Sequence, residues 1–262
     1  MDREDEVLAL LRADGGDMTG VRIELVTGGM SGAGVFRIIQ RGRTTRYVKV
    51  AEGDAAAVLR EEVTRTSWLA AQGITVPRIL RVNDQATYYA VLMDAAHGTP
   101  ADASPLPVPQ LVTALAGALI ELHALPSITC PFDETLAVRL ARAAKAVAAG
   151  EVDPQEFEPR NEDLTPEFLL ARLSAERLTE DIVVVHGDAT LSNLMIAPDG
   201  GVSFIDCGNA GRGDRYLDLA PLASDIEGHY GEKAARIFIA TYGERSWSKA
   251  KSRYYLDLYE LF

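Results

Sequence analysis

The sequence predicts an α+β fold of two parts, an antiparallel β-sheet carrying one helix followed by a mainly helical region. Three observations predict it. β-Branched runs at residues 21–26, 35–40 and 45–50 alternate with glycine-rich or polar turns, as antiparallel strands do. From residue 108 onward apolar residues recur instead at helical spacing, as at Leu111, Leu115, Leu119 and Leu122. Between the two patterns lies a proline-rich connection with Pro100, Pro105, Pro107 and Pro109. The chain therefore divides near residue 96, into candidate domains at 1–96 and 97–262.

After the third strand, residues 55–72 form a helix with Leu59, Val63 and Leu69 as apolar positions and Gly73 as its stop. Residues 79–83 and 87–93 add strands around an Asn-Asp turn, bringing the sheet to about five strands. Helices follow at 108–125, ended by Pro126, at 136–149, ended by Gly150, and at 165–178, with Pro166 in the first turn. Two short strands, 182–185 and 202–205, flank a polar loop and are joined partly by the turn Pro198-Asp199-Gly200-Gly201. Helices over 214–230, 232–242 and 248–262 close the chain, with no internal repeat.

Composition narrows the partners. A 262-residue chain with 47% hydrophobic residues is an ordinary globular one, and no apolar run approaches the roughly 18–20 residues of a membrane span. A net charge of −12 repels nucleic acid and anionic membrane and attracts a cationic small molecule. The acid is clustered: Glu151, Asp153, Glu156, Glu158, Glu162 and Asp163 crowd one segment, relieved by Arg160. The acidic N-terminus lacks an apolar signal core. Cys130 and Cys207 have no metal-ligand spacing. A cytoplasmic protein, monomeric or weakly dimeric, is expected.

The loop supplies the chemistry. Residues 186–193 read His-Gly-Asp-Ala-Thr-Leu-Ser-Asn, and Phe204-Ile205-Asp206-Cys207-Gly208 follows. An Asp, an Asn five residues on, and a second Asp ending a short apolar run is the spacing of a kinase catalytic loop and its metal-binding Asp. Phosphoryl transfer requires one carboxylate to orient the attacking hydroxyl and oxygen ligands to hold Mg2+ on the nucleotide phosphates. Asp188 fits the first role, and Asn193 and Asp206 the second. A β-rich part followed by a helical part is also the layout of a two-lobed protein-kinase-like fold, with its cleft expected near residues 93–98.

Lys49 ends the third strand, where such a fold places the lysine on the α- and β-phosphates. Glu61 and Glu62 on the next helix can each pair with it, and Glu62 has the better register. Gly28-Gly29-Met30-Ser31-Gly32-Ala33-Gly34 lies between the first two strands, where glycines let backbone N–H groups approach phosphate. It does not match the G-x-G-x-x-G spacing. His186 is expected to fix Asp188 rather than act as a base, and His123 to be a satisfied helix-end residue. The room between Asp206 and Arg215 is too small for the activation segment of a protein kinase.

With these residues in place, the chain resembles the aminoglycoside phosphotransferase family, specifically its 3'-phosphotransferase (kanamycin kinase) group. The resemblance is carried by H-G-D-A-T-L-S-N, by F-I-D-C-G followed by G-D-R-Y-L-D-L-A, by C-P-F-D at Cys130–Asp133, and by the ending Y-L-D-L-Y-E-L-F. It implies ATP and Mg2+ as cofactors and transfer of phosphate to the 3'-hydroxyl of an aminoglycoside, conferring antibiotic resistance. It further implies that Ser31 contacts the β-phosphate, Tyr47 stacks on adenine, and the Asp94 carbonyl and Ala96 N–H pair with the adenine edge. Asp153, Glu156, Glu158, Asp225, Glu260 and the Phe262 carboxylate match acceptor contacts. Three positions depart from the pattern: Asn209 and Ser224 stand where arginine is common, and Tyr259 where an acid is common. They keep open another hydroxyl, such as 3'' of streptomycin, or a non-antibiotic metabolite.

Overall fold

A computed structural model of the chain describes residues 3–15, 18–26, 32–176, 178–243 and 247–262. The chain forms two compact units, one of Met1–Gly98 with Ser203–Gly208, the other of Thr99–Val202 with Asn209–Phe262. The first contains an antiparallel five-stranded sheet of β1 (Arg22–Val26), β2 (Gly34–Ile39), β3 (Arg46–Glu52), β4 (Ile79–Asp84) and β5 (Tyr88–Asp94). Its spatial order is β1-β2-β3-β5-β4.

The period-2 alternation of strands sorts side chains onto two helices. Val48 and Val50 of β3, with Ala90 and Leu92 of β5, pack in one cluster with Val7, Leu10 and Leu11 of α1 (Arg3–Ala13). The intervening residues, Ala51 of β3 and Tyr89, Val91 and Met93 of β5, form another cluster with Leu59 and Val63 of α2 (Gly53–Ala71). Each fully buried Val, Leu or Met side chain contributes about 1.5–3 kcal/mol. Lys49 alternates with Val48 and Val50, so it shares the α2 side of the strand. At the end of α2, Gly73 N–H bonds Ala70 O and Ile74 N–H bonds Leu69 O, a Schellman stop with Gly73 at positive φ.

The second unit is mainly helical, with α3 (Val108–His123), α4 (Leu136–Ala149), α5 (Pro166–Ala175), α6 (Tyr216–Tyr230), α7 (Glu232–Tyr242) and α8 (Lys249–Tyr259). Leu169 and Leu173 of α5, Ala220 of α6 and Tyr255 and Leu258 of α8 share its core. Short ladders complete it: β6 (Thr99–Pro100) pairs with β8 (Leu194–Ile196), and β7 (Ile182–Val185) with β10 (Gly211–Asp214). β9 (Val202–Phe204) leads into the 203–208 segment. No helix among the described residues is long and apolar enough to cross a membrane.

Four of these elements are absent from the sequence reading: α1, β6, β8 and β10. α1 is additional, although Val7, Leu10 and Leu11 have the i, i+3, i+4 spacing of a buried helix face. The helix expected over 214–230 starts at Tyr216, because residues 211–214 are a strand. A Cβ on Gly213 would come within 2.8 Å of Glu134 O and 2.7 Å of Leu217 Cδ1. Glycine permits that close backbone approach and hides the strand's side-chain period.

Candidate active site

In the first unit three charged side chains meet. Lys49 Nζ lies 2.7 Å from Glu62 Oε1 and 2.5 Å from Asp206 Oδ1. The Lys49 and Glu62 side chains are 12% and 13% exposed, whereas Asp206 is 51% exposed. Glu61 turns instead toward Arg65, 3.7 Å away. Burial works against the Lys49 charge, but Glu62 and Asp206 outweigh it and hold the ammonium above its ordinary range. Asp206 has φ +55°, the one non-glycine positive φ among the described residues. Such backbone strain persists only where the surroundings enforce it, and it concentrates at functional sites. Nearby, Phe204 N–H donates to Thr75 O (2.9 Å), and Gly208 lies against the Glu62 side chain.

In the second unit the 186–193 loop is held from beneath by Asp218, which is fully buried. Its Oδ2 accepts the His186 N–H (2.8 Å) and its Oδ1 the Gly187 N–H (2.7 Å). His123 Nε2 lies 3.0 Å from the same Oδ2, while its Nδ1 meets the Tyr242 hydroxyl at 2.7 Å. Burial pushes the Asp218 carboxyl up, and its hydrogen bond and charge interaction with His123 outweigh that and hold it below the usual range. Gly187 has φ +78°, and a Cβ there would sit 2.3 Å from Asn209 O and 2.4 Å from Arg139 Nη2. No other residue fits. Arg139 Nη2 donates to Gly187 O (2.8 Å), and its Nε lies 2.9 Å from the buried Glu134.

That loop presents Asp188 with both carboxylate oxygens engaged. Asn193 Nδ2 donates to Oδ2 (2.9 Å) and to the Asp188 backbone carbonyl (3.0 Å), and the Tyr259 hydroxyl donates to Oδ1 (2.7 Å). The turn carrying Asn193 is fixed in part by Asp225, whose carboxylate accepts the Leu191 N–H at 2.7 Å.

The acidic segment is organised by a polar network. Asp153 accepts the Gln155 N–H at 2.9 Å. Arg160 bonds Asp257 (2.8 Å) and Glu260 (2.7 Å), and the fully buried Asn161 donates to both carboxylates. Arg172 adds a third bond to Asp257 at 2.6 Å. Glu260 also accepts the Glu158 N–H (3.3 Å), and its side chain is 7% exposed. Two of the carboxylates expected to face a ligand thus have internal partners: Glu260 holds Arg160 and Asn161, and Asp225 holds the loop. The exposed acids of the segment are Glu151, Asp153, Glu158, Glu162 and Asp163. The half-exposed Phe262 ring lies 5.5 Å from the Arg139 guanidinium carbon.

Of the other expected site residues, Tyr47 pairs in register with Met93, and Asp94 binds Arg78 at 2.7 Å. Ala96 follows Ala95, whose N–H donates to Thr45 O (3.0 Å). Ser31 and the side chain of Glu156 lie outside the described residues. The sequence reading missed Asp218, Asn161 and Arg160 as organisers. Asp218 lies within the G-D-R-Y-L-D-L run, but its role depends on partners far away in the chain. No cluster of three or more His, Cys, Asp or Glu able to hold a metal occurs among the described residues.

Residues 22–253 match the model of the phosphotransferase enzyme family. The chain is 37% identical to streptomycin 3''-kinase of Streptomyces griseus, covering 89% of each chain. It is 32% identical to an aminoglycoside 3'-phosphotransferase of Streptomyces fradiae, covering 90% of this chain and 94% of that one. Among solved structures, the aminoglycoside-3'-phosphotransferase of type VIII superposes with a TM-score of 0.86 at 33% identity, with full coverage of both chains. The aminoglycoside phosphotransferase APH(3'')-Id of Streptomyces rimosus, in complex with ADP and streptomycin, superposes with a TM-score of 0.82 at 33% identity, covering 100% of this chain and 99% of that one.

Proposed function

We propose, on the premise that this chain belongs to the phosphotransferase enzyme family, that it transfers the γ-phosphoryl group of ATP to a hydroxyl of an aminoglycoside. The observation that carries the proposal is Asp188, a carboxylate oriented on both oxygens in a loop anchored by buried charge. Asp188 receives the acceptor hydroxyl and takes its proton as the new P–O bond forms. Lys49, paired with Glu62, neutralises phosphate oxygens. Positioning and charge neutralisation dominate such a transfer, because the protein has little covalent chemistry to perform.

Mg2+ is commonly held by one or two protein carboxylates together with substrate phosphates and water. The exposed carboxylate of Asp206 and the amide oxygen of Asn193 fit that donor set. When bound, the ion neutralises charge on the transferred phosphoryl group. Ser31, Tyr47, Asp94 and Ala96 belong to the nucleotide side, residues 1–96. Residues 97–262 form the acceptor side, where Asp153, Glu156 and Glu158 meet ammonium groups and the net negative charge favours their approach. On that side Asp225 and Glu260 act by shaping the surface. The use of ATP places the reaction in the cytoplasm, where it would protect a cell against the antibiotic.

Two acceptor hydroxyls are in play. The 3' reading is supported by the likeness to the type VIII enzyme and by the run Y-L-D-L-Y-E-L-F at residues 255–262. The 3'' reading is supported by the 37% identity to the streptomycin kinase and by Tyr259, which touches Asp188 where the 3' pattern has an acid. ATP-dependent ADP release with kanamycin, its 3'-deoxy relative tobramycin and streptomycin separates them. Turnover of kanamycin but not tobramycin supports 3', and turnover of streptomycin supports 3''. Bound ATP with release on none of the three refutes the aminoglycoside assignment.

A further inference from the structure

We infer that Tyr259 is a positioning residue for Asp188: its hydroxyl and the Asn193 amide hold opposite oxygens of one carboxylate and so set the plane in which the acceptor hydroxyl is received. This inference rests on Asp188 as the group that receives that hydroxyl. The terminal torsion of an aspartate is broad and roughly two-fold, so one hydrogen bond leaves the carboxylate plane poorly defined. Asn193 supplies one bond from within the same loop, where it also holds the Asp188 carbonyl. Tyr259 supplies the second from a different element, the last residue of α8.

That helix is a firm support. Ser248 caps it at the Lys251 N–H (3.1 Å), the Tyr254 hydroxyl donates to Leu173 O (2.8 Å), and Tyr255 and Leu258 are buried. A tyrosine reaches outward with two side-chain torsions, so little freedom is lost in fixing its hydroxyl. Partial burial and the Asp188 charge both push the Tyr259 phenol up, so it stays protonated and donates. A carboxylate oxygen accepts more than one hydrogen bond, and Oδ1 therefore takes the acceptor hydroxyl beside the phenol. Tyr259 is 41% exposed and Asp188 is only partly buried, so the hydroxyl can be removed without leaving a fully buried group unpaired.

Tyr259→Phe keeps the ring and deletes this one bond. Misorientation of a reacting group slows the chemical step by about 10- to 100-fold. The measurement is the single-turnover rate of phosphoryl transfer from ATP, by rapid quench, on whichever of streptomycin and kanamycin the wild type modifies, with acceptor KM and melting temperature alongside. A fall of about tenfold or more in the transfer rate, with acceptor KM within about twofold and melting unchanged, supports positioning. A smaller fall in rate, or a loss confined to KM, overturns it. Asp188→Asn is assayed in parallel. If that variant still turns over, the reading of Asp188 fails; if it is inert while Tyr259→Phe transfers at the wild-type rate, only the positioning inference fails.

Discussion

Replacing Asp218 with asparagine tests how the 186–193 loop is held. The carboxylate is fully buried and accepts two consecutive backbone N–H groups, one on each oxygen, while His123 Nε2 faces one of the same oxygens. Asparagine has one acceptor oxygen, so its amide must turn a second donor either to Gly187 or to the His186–His123 side. A buried N–H left without an acceptor costs about 1–3 kcal/mol, and the remaining bonds weaken from about 1.5–3 to about 0.5–1.5 kcal/mol when the charge is lost. The total is about 3–5 kcal/mol, a large share of the roughly 5–15 kcal/mol that holds a native protein. Urea denaturation at neutral pH, followed by intrinsic fluorescence, reads this directly. The sign with pH also follows. The folded-state carboxyl is held below its ordinary value, so its contribution is full above the unfolded value near about 3.9 and is lost as pH falls through the folded value. The gap between wild type and Asp218→Asn therefore narrows in acid. A loss under about 1 kcal/mol at neutral pH, or a gap that does not narrow, refutes the account of the loop.

Two further results are expected. Glu62→Gln removes one of the two carboxylates on Lys49, and a charge-assisted bond of about 1.5–3 kcal/mol corresponds to about a 10- to 100-fold weakening of ATP binding by titration calorimetry. The exposed neighbour Glu61→Gln stays within about twofold, and equal effects at the two positions contradict the pairing. Cys207 is buried, and its thiol is pushed up to about 12 by that burial and by Glu62; Cys130 is also buried. A disulfide reagent at neutral pH should label neither cysteine in the folded protein and both after unfolding; rapid native labelling is the contrary result.

The sheet was legible because its strands are short β-branched or apolar runs separated by polar turns, and because α2 ends in a glycine stop at Gly73. Glu62 could be preferred over Glu61 from its register on the helix relative to Trp68, and Lys49 pairs with it. What escaped reading was tertiary. Gly211 and Gly213 lack the side chains that betray a strand, so β10 went unread and its last residue, Asp214, was taken as the start of a helix. Asp218 and Asn161 are polar residues whose value lies in partners distant in sequence, and no local pattern separates them from solvent-facing neighbours. The acidic segment read as an open cation-binding wall. Its one arginine, Arg160, turns to Asp257 and Glu260 outside the segment. Asp188, Asn193 and Asp206 were singled out from the sequence because phosphoryl transfer calls for those residue types at that spacing, and the proposed function rests on them.

The central claim is that Asp188 receives the acceptor hydroxyl while the nucleotide is held elsewhere in the chain. Asp188→Ala, assayed for ADP release with the wild-type acceptor and for ATP binding by calorimetry, tests it most directly. Turnover abolished with ATP affinity nearly intact is the predicted result. Turnover near the wild-type rate contradicts the claim.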